Sequence, residues 1–198
     1  MEYMLGYGSL LSQYSRQTHS DINGQARATS VTGWSRSWCA AYPDEGATYA
    51  GAVRNSNSAL DAVLIPTQLD IGLRERERNY RFIRIAPSDL SFFSVSMPDL
   101  NDAQIWLCES TNPQAPTLAN PLPQTYVDTC LIGCIETGGE DAARQFIKQT
   151  LGWDSAWLND RLHAKPIYPR HTPLSSGEKS LVDDLLAEQD VLKYRTNP

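Results

Sequence analysis

Apolar and polar positions change their spacing part-way along this chain. In the first half they come in short runs broken by turn residues. Glu2-Tyr3-Met4-Leu5 predicts a strand that runs into Gly6-Tyr7-Gly8. Residues 30–43 carry β-branched and aromatic side chains and stop at Pro43, and residues 48–55 and 59–66 read as two further strands, with Asn55-Ser56-Asn57-Ser58 as a turn between them. Residues 67–79 read as a helix capped by Thr67, with Leu69 and Leu73 one turn apart. From Tyr80 the pattern alternates, Ile83 and Ile85 share a side, and Pro87 ends the strand; residues 102–110 predict the last strand of this half.

A proline-rich stretch, residues 111–124, predicts an extended surface connector. Helical spacing follows. Val127, Leu131, Cys134 and Ile135 share a face that ends at Gly138-Gly139, and a second helix follows from Glu140. Residues 175–194 open with a capping box, Ser175 to Glu178, and carry Leu181, Leu185 and Leu192 as an apolar stripe. Trp153 and Trp157 stand one helical turn apart. Strands followed by helices predict an α+β fold.

The 198 residues suffice for one domain with a real core. A formal net charge of −6 argues against a nucleic-acid partner. No apolar run reaches the roughly 18 residues that span a bilayer, and the first residues lack the basic flank of a signal peptide, so no membrane partner and a cytoplasmic location are expected. Cys39, Cys108, Cys130 and Cys134 form no Cys-x-x-Cys pair and are expected to be buried and reduced. His19, His163 and His171 show no metal-ligand spacing, so no metal is expected.

Two features carry candidate chemistry. Gly6-Tyr7-Gly8-Ser9-Leu10 sets glycines into an apolar run, which can turn backbone N–H groups outward as a nest for a carboxylate or an oxyanion. A tight structural turn explains the same residues. Leu73–Tyr80 places Glu75 and Glu77 among arginines. On a helix these two carboxylates point apart, so one can face a pocket as a proton shuttle while the other is solvated; a wholly solvated charged face is the plainer reading.

Taken together, the motifs resemble the γ-glutamylcyclotransferase-like superfamily. Gly6–Leu10 is similar to its Tyr-Gly-Ser signature loop, Gly33-Trp34-Ser35-Arg36 to its Gly-aromatic-x-Arg strand, Arg76-Glu77-Arg78-Asn79-Tyr80 to its Arg-Glu-x-x-Tyr segment, and Pro121–Cys134 to its proline–tyrosine helix entry. The resemblance covers residues 1–135. It implies a mixed β-barrel flanked by helices and a cofactor-free cyclisation of a small γ-glutamyl substrate to 5-oxoproline. It assigns Glu77 as the catalytic acid/base and Tyr7, Gly8, Ser9, Leu10 and Tyr126 as substrate-binding. Residues 136–198 lie outside it and are expected to form a helical extension of a single 1–198 domain, serving as a lid over the site, a structural cover or a dimer contact. Asp160-Arg161 and Arg170-His171 are expected to tie this segment down or to line a specificity wall. Two other readings stay open: a non-catalytic binding protein of the same fold, and a serine hydrolase with Ser9 as nucleophile and Asp160 with His163 or His171 as partners.

Overall fold

Two long strands dominate the molecule. In the computed structural model, which describes residues 1–93 and 98–198, β2 spans Arg27–Tyr42 and β3 spans Ala47–Pro66. They form one antiparallel hairpin, joined by a tight turn in which the Gly46 amide donates to the Pro43 carbonyl at 3.1 Å. The predicted turn at Asn55–Ser58 does not reverse the chain. Those residues are a bulge within β3. The register steps from Thr32 opposite Ala59 to Trp34 opposite Arg54, so four residues face Gly33 alone. Gly33 has φ +84, a conformation that costs glycine nothing, and Asn55–Ser58 are polar enough to arch into solvent.

β1 (Glu2–Gly6) pairs antiparallel with β3 and parallel with β6 (Gln104–Ser110). β4 (Tyr80–Ile85) lies antiparallel on the outer side of β6, and β5 (Leu90–Phe92), which the hydrophobic pattern did not single out, pairs with β2. Beyond the end of β1, β3 and β6 meet directly at Ala52 and Glu109. The sheet therefore curls into a half-barrel, and the chain leaves it at Gly6, where a wedge-shaped gap opens.

Helices cover the sheet. α1 (Gln13–Ser20) follows the loop after β1. α2 (Ile71–Arg76) is capped by Asp70, whose side chain accepts the Leu73 amide at 2.8 Å, and not by Thr67; the Asp70 oxygen is three residues from an unpaired amide, whereas Thr67 precedes the helix by too much. α3 (Gln124–Gln149) loses helical geometry at Gly138 and Gly139, where the predicted break falls. β7 (Leu122–Pro123), β9 (Trp157–Leu158) and β10 (Arg195–Thr196) make a small second sheet, and β8 (Thr150–Leu151) adds to β2.

α4 (Ser176–Glu188) carries the predicted capping box. Leu192 lies past its end, so the stripe with Leu181 and Leu185 is not one helix face. Nor do Trp153 and Trp157 share a helix: the first sits in a turn and the second in β9. They still touch, with ring centroids 5.1 Å apart, and Trp153 packs edge-on against Trp38 of β2 at 5.0 Å. Residues beyond Gly139 thus complete the same apolar core as the strands. All four cysteines are free and buried. Among the described residues no helix is long and apolar enough to cross a membrane.

Candidate functional site

The gap at the end of β1 is a cleft of about 480 Å³ including its mouth. Tyr7, Gly8, Ser9, Leu10, Glu77 and Tyr126, which the sequence singles out, all line it. Each arrives by a different route. Gly8 precedes a short 3-10 turn, Ser9–Leu11, closed by the Leu11 amide on the Gly8 carbonyl at 2.9 Å. The first amides of such a turn have no partner inside it, and both residues that carry them, Ser9 and Leu10, line the cleft. Tyr126 comes from the first turn of α3, and Glu77 is the C-cap of α2.

Gly8 is needed for close approach, though by a side chain of this chain. A Cβ there would stand 2.5 Å from the Tyr126 hydroxyl. That hydroxyl accepts the Ala50 amide at 3.3 Å, while the Ala50 carbonyl accepts the Tyr80 hydroxyl at 2.8 Å. The Ala50 peptide is thus held on both sides by tyrosines. The Tyr7 hydroxyl donates to the Cys108 carbonyl.

Of the two candidate carboxylates, Glu75 is solvated, with 72% of its side chain exposed and Arg78 at 3.6 Å. Glu77 is 13% exposed, and Arg76 Nε lies 3.3 Å from its Oε1. Burial pushes the Glu77 carboxyl above the ordinary glutamate value; Arg76, then Arg170 and a hydrogen bond with Cys108, pull it partly back. Burial likewise drives Tyr7, Tyr80 and Tyr126 well above the usual phenol value, so these hydroxyls stay protonated.

Several lining residues were not among the sequence-derived binding set. Arg76 is one. Its guanidinium donates to the Ser9 hydroxyl at 2.9 Å, to Ser15 at 3.2 Å and to Ser20, so it ties the loop, α1 and Glu77 together. Arg36 does not line the cleft but supports it from behind. It is 1% exposed, lies 3.9 Å over the Phe146 ring, and donates through Nε to the Tyr7 carbonyl at 2.8 Å. Its place in the Gly-aromatic-x-Arg strand was the available signal. Tyr42, Tyr49, Tyr80 and Tyr168 complete an aromatic wall, with Tyr168 4.9 Å from Tyr126 and 5.3 Å from Tyr49 between ring centroids.

This geometry has counterparts among solved structures. A structure titled gamma-glutamyl cyclotransferase superposes with a TM-score of 0.58, covering 92% of this chain and 98% of that one at 11% identity. The uncharacterized protein loc79017 from Homo sapiens does so with 0.58, covering 91% and 96% at 11% identity. YkqA from Bacillus subtilis does so with 0.53, covering 74% of this chain and 52% of that one at 15% identity. The fold is the γ-glutamyl cyclotransferase fold. No protein-family model matches the chain, and no curated protein matches it in sequence.

Within this cyclotransferase fold the serine-hydrolase arrangement is not assembled. The Ser9 hydroxyl is held by Arg76. The Asp160 carboxylate is taken by the Thr125 amide at 2.8 Å, the Thr125 hydroxyl at 2.7 Å and the Ile167 amide at 2.8 Å. Asp160 instead caps the buried start of α3, and Arg161 binds Asp128 at 2.6 Å and Asp183 at 2.9 Å. Both therefore tie the C-terminal segment down, while Arg170 reaches the cleft itself.

Proposed function

We propose that the protein is a γ-glutamyl cyclotransferase that uses Glu77 as its only proton carrier. The observation that carries this reading is the Glu77 carboxyl, set in the cleft with its acidity lowered by burial, beside the backbone donors of Ser9 and Leu10. The γ-glutamyl cyclotransferase fold supports it.

The chemistry follows from these parts. The substrate's α-ammonium must lose a proton to become a nucleophile. A carboxylate whose pKa is raised towards neutrality can take that proton and still be ionised at the start. The freed nitrogen attacks the γ-carbonyl carbon and a five-membered ring closes. Negative charge moves to the carbonyl oxygen, where fixed amide donors stabilise it without reorganisation. Collapse breaks the bond to the leaving nitrogen. Two protons leave the attacking nitrogen and two reach the leaving one, so Glu77 ends as it began. No water is consumed, and an aromatic cleft that restricts water disfavours hydrolysis of the same bond. Because nucleophile and electrophile belong to one molecule, holding the glutamyl chain folded removes most of the entropic barrier.

The test is a panel of γ-glutamyl amines, amino acids and peptides incubated with the protein, with 5-oxoproline and the released amine read by mass spectrometry. 5-Oxoproline from at least one member, lost in Glu77→Gln, is expected. Binding without any 5-oxoproline overturns catalysis in favour of a binding protein.

A further inference from the structure

Arg170 is the one cation of the cleft wall that comes from the C-terminal segment, and its bonding is incomplete. Its nearest carboxylate, Glu45 Oε1, lies 3.7 Å from Nη2, too long for a good hydrogen bond. The other Glu45 oxygen is already engaged, accepting the Tyr49 hydroxyl at 2.6 Å. Arg170 Nε is buried, and among the described residues it has no hydrogen-bond partner. The guanidinium is held in place from behind, 5.3 Å over the ring of Tyr168, which is itself wedged against Tyr126 and Tyr49. A positioned guanidinium with donors to spare matches a carboxylate, whose two oxygens can accept its fork of N–H groups.

Position decides which carboxylate. Side-chain exposure rises from 7% at Arg76 and 13% at Glu77 to 27% at Arg170. The reacting atoms must sit at Glu77, deep in the cleft. The amine half departs by the mouth, so its substituent passes Arg170. We propose, resting on the reading above, that Arg170 receives a carboxylate carried by the amine half, so that the cleft selects γ-glutamyl amino acids and peptides over γ-glutamyl alkylamines and polyamines. The Glu45 carboxylate beside Arg170 is already engaged through its other oxygen by the Tyr49 hydroxyl, which leaves the guanidinium fork as the group that an incoming carboxylate can meet.

γ-Glutamyl-alanine and γ-glutamyl-ethylamine share the glutamyl half and differ in the leaving-side carboxylate. Calorimetric titration of both into Glu77→Gln, with and without Arg170→Gln, isolates the contact from turnover. Tighter binding of γ-glutamyl-alanine by ~10-fold is expected, as for one charge-assisted hydrogen-bonded pair. Adding Arg170→Gln should bring the two within about 2-fold, and Arg170→Lys, which keeps charge without the fork, should retain part of the preference. Equal affinities before and after the Arg170 change overturn the proposal. So does an equal loss for both compounds, which places Arg170 on the α-carboxylate, and so does failure to bind either. If the preference holds while the native protein releases no 5-oxoproline from either, the catalytic reading fails and the Arg170 contact stands. If 5-oxoproline forms without preference, the Arg170 contact alone fails.

Discussion

Arg76 and Glu77 are neighbours in sequence and turn their charged ends together, Nε to Oε1 at 3.3 Å. The pair is lopsided. Arg76 has three serine hydroxyls besides Glu77, whereas Glu77 has a wall of phenol rings and a thiol. The arginine is therefore a fixed part of the scaffold, and the glutamate is free to exchange a proton. Glu77→Gln should keep the fold and lower 5-oxoproline formation by ~10²-fold or more, the usual worth of a general acid/base. Glu75→Gln, at an exposed position, should leave the rate within about 2-fold. The reverse result would move the role to Glu75.

The raised pKa of Glu77 sets a pH dependence for both rate and stability. Activity needs the carboxylate in the free protein, so kcat/KM should fall on the acid side with an apparent pKa above the ordinary glutamate value. For stability the sign is opposite to that of a salt-bridged acid. The folded state favours the protonated form, so the favourable contribution is full below the unfolded value of about 4.3 and is lost as pH rises through the higher folded value. Glu77→Gln should therefore melt above the wild type at about pH 7.5, and the gap should close near pH 4. A gap that widens towards acid would show Glu77 to be stabilised as its anion.

Gly8 and Tyr126 make a reciprocal prediction. Gly8→Ala puts a Cβ 2.5 Å from the Tyr126 hydroxyl oxygen but 3.6 Å from the ring carbon bearing it. The single variant should lose activity and about 1–3 kcal/mol of stability by overpacking. Adding Tyr126→Phe removes the colliding atom, so the double variant should recover part of the stability loss. Additive losses in a double-mutant cycle would show that the two do not interact.

Asp160 is expected to be the weak point of the C-terminal segment. Asp160→Ala leaves the buried amide and hydroxyl of Thr125 and the part-buried amide of Ile167 without their acceptor. At about 1–3 kcal/mol for each unsatisfied group, the loss should be ~3 kcal/mol or more in denaturant unfolding. A chain cut after Gly139 also loses Phe146, Trp153, Trp157 and Tyr168 from the core and should be insoluble. A cut chain that is folded and monomeric would show the segment to be dispensable for packing.

The sequence is most legible where a residue's role is local. Alternation located β4, glycines located the break in α3, and Ser175 with Glu178 located the start of α4. The six residues singled out for the site share one cleft because their motifs lie at strand and helix ends that the fold gathers at the tip of β1. Where local chemistry misleads, tertiary pairing is the cause. Asn55–Ser58 have turn propensity, yet β2 holds both flanks of β3 and leaves them only a bulge. Trp153 and Trp157 have helical spacing and meet across a turn and a strand instead. Arg76 and Tyr168 gave no local sign of lining the cleft, because what matters is the loop and helix they meet far along the chain.

That distance along the chain has a consequence for the order of biosynthesis. The loop at Tyr7 and the carboxylate of Glu77 leave the ribosome early, but Asp160, Tyr168 and Arg170, which seat the last wall, leave late. At about 5–20 residues per second, the stretch from Glu77 to Arg170 takes roughly 5 to 20 seconds to make. Throughout that interval the residues that supply the acidic group and the backbone donors exist without the ones that close their flank. The closed cleft has to wait until Arg170 is made.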